Sequence, residues 1–162
     1  MLRRSRPLAS PAGLRRLALR APLLLYRWHF GWLMGRRFLL LTHAGRSTGL
    51  PRRVVLEVVD RDDATGAFVL ASGFGPGAQW YRNVVAKPEV TVQVGRWRTA
   101  AVVRPMSAEE SGRAMAAYAL RHPRAARALM RFCGLVVDGT WQDYYLAGRD
   151  HVPFVTLWPA GR

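Results

Sequence analysis

Lysine, cysteine and acidic residues are all scarce in this sequence, and each scarcity narrows what the chain can be. Lys87 is the only lysine, so arginine supplies nearly all of the 25 basic residues; these face 10 acidic ones, for a formal net charge of +15. A surface of that sign draws polyanions, whether nucleic acid, anionic lipid headgroups or a phosphorylated coenzyme. The single cysteine, Cys133, excludes an intrachain disulfide and a cysteine-based zinc site. Its neighbours Phe132, Leu135, Val136 and Val137 mark a buried structural thiol. His29, His43, His122 and His151 are scattered without metal-ligand spacing, so no metal is expected. Paired carboxylates are missing as well: Glu109-Glu110 opens a helix, and Asp60, Asp62 and Asp63 share a turn. GxSxG, the P-loop and a GxGxxG following a strand are all absent. A self-sufficient acid–base or nucleophilic enzyme finds little support; if the chain is an enzyme, a coenzyme carries the hard chemistry.

Long hydrophobic runs are lacking too. The basic start (Arg3, Arg4, Arg6) resembles a signal peptide, but the run from Ala21 stops at Arg27, and the run from Trp28 stops at Gly35 with no small-residue cleavage pattern after it. A secretory leader and a spanning helix therefore fit poorly. The expected location is the cytoplasm.

What is present fits one globular domain of 162 residues, half of them hydrophobic and 22% charged, with no internal repeat. Residues 1–36 read as a basic arm followed by an amphipathic helix. Within it, Leu14, Leu17, Leu24, Trp28 and Leu33 mark one face, and Arg15, Arg16, Arg20 and Arg27 occupy much of the rest. Such a helix either packs on the domain or lies on an anionic membrane, so residues 13–34 are a candidate contact with the inner face of the cell membrane. Residues 37–162 form the second region. Strands are expected at Arg37 to Thr42, Val54 to Val59, Ala67 to Ser72, Val90 to Val94, Trp97 to Val103 and Val152 to Trp158. Helices are expected at Ala78 to Ala86, from a Ser107/Glu110 capping box to Arg121, at Arg124 to Phe132, and over the aromatic stretch Asp138 to Leu146. Five or six mostly antiparallel strands with a few helices make an α+β domain on a small barrel.

Two segments carry candidate chemistry. Gly45 to Arg52 joins two apolar strands; its Gly, Ser and Thr allow close backbone approach, and Arg46, Arg52 and Arg53 bracket it with guanidinium forks suited to phosphate. A basic hairpin turn explains the same residues. The second is Ala71-Ser72-Gly73-Phe74-Gly75 followed by Gln79-Trp80-Tyr81-Arg82-Asn83. Here a strand ends in glycine-rich chain that admits a planar ring, and Trp80 and Tyr81 wall the ring or simply fill the barrel.

Taken in order, these segments resemble a known family. Leu40-Leu41-Thr42 running into Gly45-Arg46-Ser47-Thr48-Gly49-Leu50-Pro51-Arg52, then Trp80-Tyr81-Arg82-Asn83, Lys87-Pro88-Glu89-Val90-Thr91-Val92 and Val152-Pro153-Phe154-Val155 look like the deazaflavin-dependent nitroreductases. The resemblance implies a split β-barrel of the FMN-binding type that holds coenzyme F-420, a deazaflavin with a phosphate and an acidic oligoglutamate tail. By that similarity Arg46, Ser47, Thr48, Arg52 and Arg53 face the phosphate and tail. Val54, Val55, Leu56, Leu70, Ala71, Ser72 and Gly73 line the ring, and Gln79, Trp80, Arg82 and Asn83 close the site. The implied reaction passes a hydride from the reduced coenzyme to an electron-poor acceptor such as a nitroaromatic, quinone or conjugated carbonyl. Trp141 and Tyr144 are the implied substrate contacts, with Tyr144 hydrogen-bonding the substrate or supplying its proton; the alternative is that Tyr144 and Tyr145 simply pack. Family members often carry lysine where this chain has Ser47 and Gly73, which removes two cationic contacts. Three alternatives remain: an FMN enzyme of the same fold, a membrane-associated carrier of lipid or cofactor, and charge-driven nucleic-acid binding, for which no motif is present. Monomer and homodimer are both compatible with the sequence.

Overall fold

The computed structural model describes residues 3–4 and 36–161. The basic arm and amphipathic helix expected over residues 1–36 thus lie, apart from Arg3, Arg4 and Arg36, outside the described residues. Eight strands and four helices follow: β1 (Arg3–Arg4), β2 (Phe38–Ala44), β3 (Pro51–Arg61), β4 (Phe68–Ala71), α1 (Gln79–Ala86), β5 (Glu89–Val94), β6 (Trp97–Pro105), α2 (Ala108–Arg121), α3 (Pro123–Phe132), β7 (Leu135–Val136), α4 (Trp141–Asp150) and β8 (Phe154–Pro159). Six strands close into an antiparallel barrel in the order β2-β3-β4-β8-β6-β5, while β1 pairs with β7 in a separate two-stranded piece. Closure leaves the barrel no open edge, so every strand is paired on both sides. The α+β split barrel expected from the sequence is the fold observed.

Period-two alternation sorts the strand residues. Leu39, Leu41, Phe68, Leu70, Val92, Val103, Val155 and Leu157 fill the barrel, with Val54, Leu56 and Val58 packed against them. On β4, Val69 and Ala71 point the other way, into a second core built by α2, α3 and α4 around Met115, Met130, Tyr144 and Phe154. Strand β4 and the first four residues of β8 are therefore covered on both faces, with Thr156 the single polar residue among them. Most elements lie where the sequence placed them. The exceptions are the unexpected β1–β7 pair, the last helix, which spans Trp141–Asp150 instead of Asp138 to Leu146, and the first hairpin, where β2 runs on to Ala44 and β3 begins at Pro51, with Ala44 opposite Pro51. Ladder pairing thus consumes part of the segment that reads as a loop, and Pro51 is tolerated because it opens its strand.

The helices hold their positions through specific local chemistry. Ser107 and Glu110 form the reciprocal capping box at the start of α2, as the sequence indicates. Thr140 caps α4 by accepting from the Asp143 N–H. Helices α2 and α4 then approach closely through small residues. A Cβ on Gly112 would lie 2.7 Å from the Tyr145 ring, and one on Gly148 would strike the Ser111 carbonyl oxygen and come within 2.6 Å of Met115 Cβ. Between them, Ser111 Oγ accepts the Phe154 N–H at 3.1 Å and ties α2 to the first residue of β8. Gly148→Ala should therefore push the helices apart and destabilise the domain by about 1–3 kcal/mol, as overpacked cores do. Thermal unfolding measures this directly, and an unchanged midpoint would show that the two helices do not touch there.

Candidate functional site

The hairpin between β2 and β3 shapes a cleft. Gly45 N–H donates to the Leu50 carbonyl and Gly49 N–H to the Gly45 carbonyl, each at 2.8 Å, folding residues 45–50 into a compact loop. Gly49 has φ +70°, a left-handed conformation that favours glycine. Lys87 Nζ, at the end of α1, donates to the Gly45 carbonyl at 3.3 Å and fastens the loop to the helix.

Arg46 is the centre of the contacts. Its Nη1 donates to Gln79 Oε1 at 2.9 Å and to Asn83 Oδ1 at 3.0 Å, and its backbone N–H donates to the same Asn83 oxygen at 3.2 Å. One nitrogen of the guanidinium is thereby fixed to α1, which orients the remaining N–H groups of the fork. Asn83 is buried, and its Nδ2 lies 3.2 Å from Nδ1 of the buried His43. Desolvation lowers the pKa of His43 most, and the charge of Arg52 lowers it further, against an opposing contribution from the Ala44 backbone. The ring is neutral at neutral pH.

These residues border a cavity of about 780 Å³ lined by His43, Gly45, Arg46, Ser47, Thr48, Arg52, Arg53, Val54, Phe74, Gly77, Ala78, Gln79, Trp80 and Asn83. No acidic residue is among them. Arg52 and Arg53 are exposed and form no ion pair among the described residues. Trp80 has two roles, since it is part of the barrel core and also lines the cavity. Helix α1 starts beside the cavity with Ala78 at its N-cap and no side chain capping it. Its first-turn N–H groups and the positive end of its dipole thus lie at a site that suits an anion.

The structure brings Arg46, Ser47, Thr48, Arg52, Arg53, Val54, Gln79, Trp80 and Asn83 together, as the sequence reading expects of a site. It does not bring the others there. Leu70 is inside the barrel, and Ala71 packs into the helical core. Ser72 is buried with its Oγ donating to the Gly75 carbonyl at 2.7 Å. Gly73 sits against Phe132 and Cys133, and Val55, Leu56 and Arg82 are not cleft residues. Tyr144 is buried in the helical core, while Trp141 is half exposed and stacks on Tyr145 with centroids 5.0 Å apart. Neither lines the cleft. The reason is that residues 141–150 form a helix whose inward face is needed to meet α2. Sequence reasoning gave no site role to His43 and named Phe74 only as part of the glycine-rich segment. His43 ends a buried strand directly before the basic loop, and Phe74 stands between two glycines, so position was the only available signal.

Comparisons with known proteins bear on the family and the fold. Residues 29–131 match the family described as F-420H(2)-dependent quinone reductase. Among solved structures, the one described as an F-420-H2 dependent reductase (FDR-A) is 22% identical, with 76% of this chain and 95% of that one covered and a TM-score of 0.51. A protein described as a domain-swapped dimer is 21% identical, covering 85% of this chain and 99% of its own, with a TM-score of 0.50. A protein of unknown function from Agrobacterium tumefaciens is 14% identical, covering 96% of this chain and 59% of its own, with a TM-score of 0.54. At these identities the structural likeness is one of fold. No curated protein matches.

Among the described residues no helix is long and apolar enough to cross a membrane, and no group of metal-ligating side chains occurs. Cys133, next to the glycine-rich turn, is buried, and desolvation pushes its thiol up to about 12. A thiol so rarely ionised is a poor nucleophile. It should resist a disulfide reagent such as Ellman's in the native protein and react fully after denaturation; rapid native labelling would show that the turn opens.

Proposed function

The chain belongs to the F-420H(2)-dependent quinone reductase family and is an oxidoreductase of that deazaflavin-dependent kind, and from that premise we propose that the basic cleft holds the coenzyme and that the acceptor is a quinone or another flat conjugated molecule. The observation that carries this reading is the meeting of Arg46, Ser47, Thr48, Arg52 and Arg53 with the uncapped start of α1 in one cavity that contains no acid. That donor set fits the group. Guanidinium forks, hydroxyls and helix N–H groups suit phosphate and carboxylate oxygens, and Val54, Phe74 and Trp80 offer apolar surface for a planar ring.

When bound, a reduced deazaflavin supplies a hydride from its C5. The protein's part is to bind, orient and exclude water. In this reading Arg52 and Arg53 attract the acidic tail, while Arg46, Ser47 and Thr48 hold phosphate against α1. Gln79 and Asn83 keep Arg46 aimed, and Trp80, which lines the cavity, would contact the ring. Phe74, whose ring meets that of Phe132 edge-on at 5.2 Å, provides an aromatic wall for the acceptor. Tyr144 and Trp141 are given no chemical role, because both stand in the helical layer.

The test is a titration with oxidised coenzyme F-420, and separately with FMN, followed by quenching of tryptophan fluorescence, to which Trp80 in the cleft contributes. Saturable deazaflavin binding is expected. Arg52→Ala should weaken it about tenfold, as expected for loss of one charge-assisted contact, and should flatten its salt dependence. Tighter binding of FMN than of the deazaflavin, or binding of neither, would reject the reading.

A further inference from the structure

His43 is the most deeply buried polar group of the cleft, 5% exposed at the end of β2 and opposite Arg52 on β3. Its contact with Asn83 determines more than packing. Asn83 Oδ1 accepts both the backbone N–H and Nη1 of Arg46, at 3.2 Å and 3.0 Å. Arginine has no acceptor to offer an amide NH2 group, so the Asn83 amide cannot be turned over in this arrangement. Its Nδ2 must therefore donate toward His43, and His43 Nδ1, at 3.2 Å, must carry a lone pair. The ring proton then resides on Nε2.

We propose that His43 is a positioning residue: as the neutral Nε2–H tautomer it locks the Asn83 amide in the orientation that aims the Arg46 guanidinium along the cleft. A doubly protonated ring would set Nδ1–H against the Asn83 NH2 group. The amide would then turn over and present NH2 to the donors of Arg46, which would lose Asn83 as an acceptor. Every charged group facing this chain of contacts opposes such protonation. Arg52 faces His43 from β3, Arg46 faces Asn83 from the loop, Lys87 holds the loop from the end of α1, and no carboxylate lines the cleft. Burial acts in the same direction and outweighs the hydrogen bond to the Ala44 backbone, which favours the charged ring.

The consequence for coenzyme binding rests on the function proposed above, whereas the tautomer is a property of the protein alone. Ring-nitrogen NMR on the isotope-labelled full chain should show His43 with a protonated Nε2 and a lone-pair Nδ1 at neutral pH, persisting below the usual histidine range. An Nδ1–H tautomer or an imidazolium at neutral pH would overturn the proposal. Two variants add a binding readout. His43→Asn restores an amide oxygen near the position of Nδ1 and should keep coenzyme F-420 affinity within about threefold, whereas His43→Leu strands the Asn83 NH2 group and should lose on the order of tenfold. Equal losses in both would mean that His43 only fills volume. If His43→Leu does not fold, the NMR result and His43→Asn decide, and a tenfold loss in His43→Asn counts against the proposal. Should the wild-type protein show the expected tautomer yet bind no coenzyme F-420, the functional reading falls and the His43–Asn83–Arg46 arrangement stands.

Discussion

The register between β2 and β3 is the constraint on which the rest of the site depends. With Ala44 opposite Pro51 and His43 opposite Arg52, only residues 45–50 are left to turn the chain. That short span forces Arg46 back toward α1 and leaves Arg52, the next cross-strand residue, on the opposite side of the same cavity. A slip of one residue would send every side chain of β3 to the other face of the sheet. Val54, Leu56 and Val58 would leave the barrel interior, and Arg52 would leave the cleft. Burial of those three side chains thus enforces the register, and the register places the cations.

Placing several cations around one cavity raises a second problem, since like charges in a partly dry site repel one another. Elsewhere on this surface the usual remedy is used: Arg37 pairs with Glu57, Arg104 with Glu110 and Arg121 with Asp60. In the cleft the partners are neutral. Arg46 is held by the amide oxygens of Gln79 and Asn83, and Lys87 by a backbone carbonyl. Neutral acceptors orient a cation without cancelling its charge, so the cavity keeps its attraction for an anion. Most of the few acids serve ion pairs, turns and caps, and none lines the cleft. The scarcity of acids therefore has a spatial meaning as well as a compositional one.

Much of the fold was legible along the chain because the relevant forces are local. Strand alternation, the Ser107/Glu110 capping box and the glycine-rich turn after β4 each follow from near neighbours. The basic loop at Gly45 to Arg52 was legible for the same reason. The aromatic stretch before the last strand was legible as a helix but not as to what it faces, because its apolar residues suit either a cofactor wall or a helix seam. The decisive fact is the glycine contact between α2 and α4, far apart in sequence, which turns Tyr144 inward among Met115, Phe154 and their neighbours. His43 was illegible for the opposite reason. A lone histidine in a strand carries no pattern, and its significance appears only once Asn83, forty residues later, is brought beside it.

The sequence by itself determined the sign of the surface charge, the exclusion of disulfide and cysteine–zinc chemistry, the alternation that makes a barrel, and the order of motifs that marks the family. Those are properties of composition and of neighbours within a few positions. Only the tertiary structure decided which of the candidate residues share a cavity, because that depends on barrel closure and on the α2–α4 contact. Both are long-range events whose outcome is set by burial and steric fit. The tautomer of His43 belongs to the same class, since it follows from a hydrogen-bond chain linking a strand, a loop and a helix that no local stretch of sequence contains.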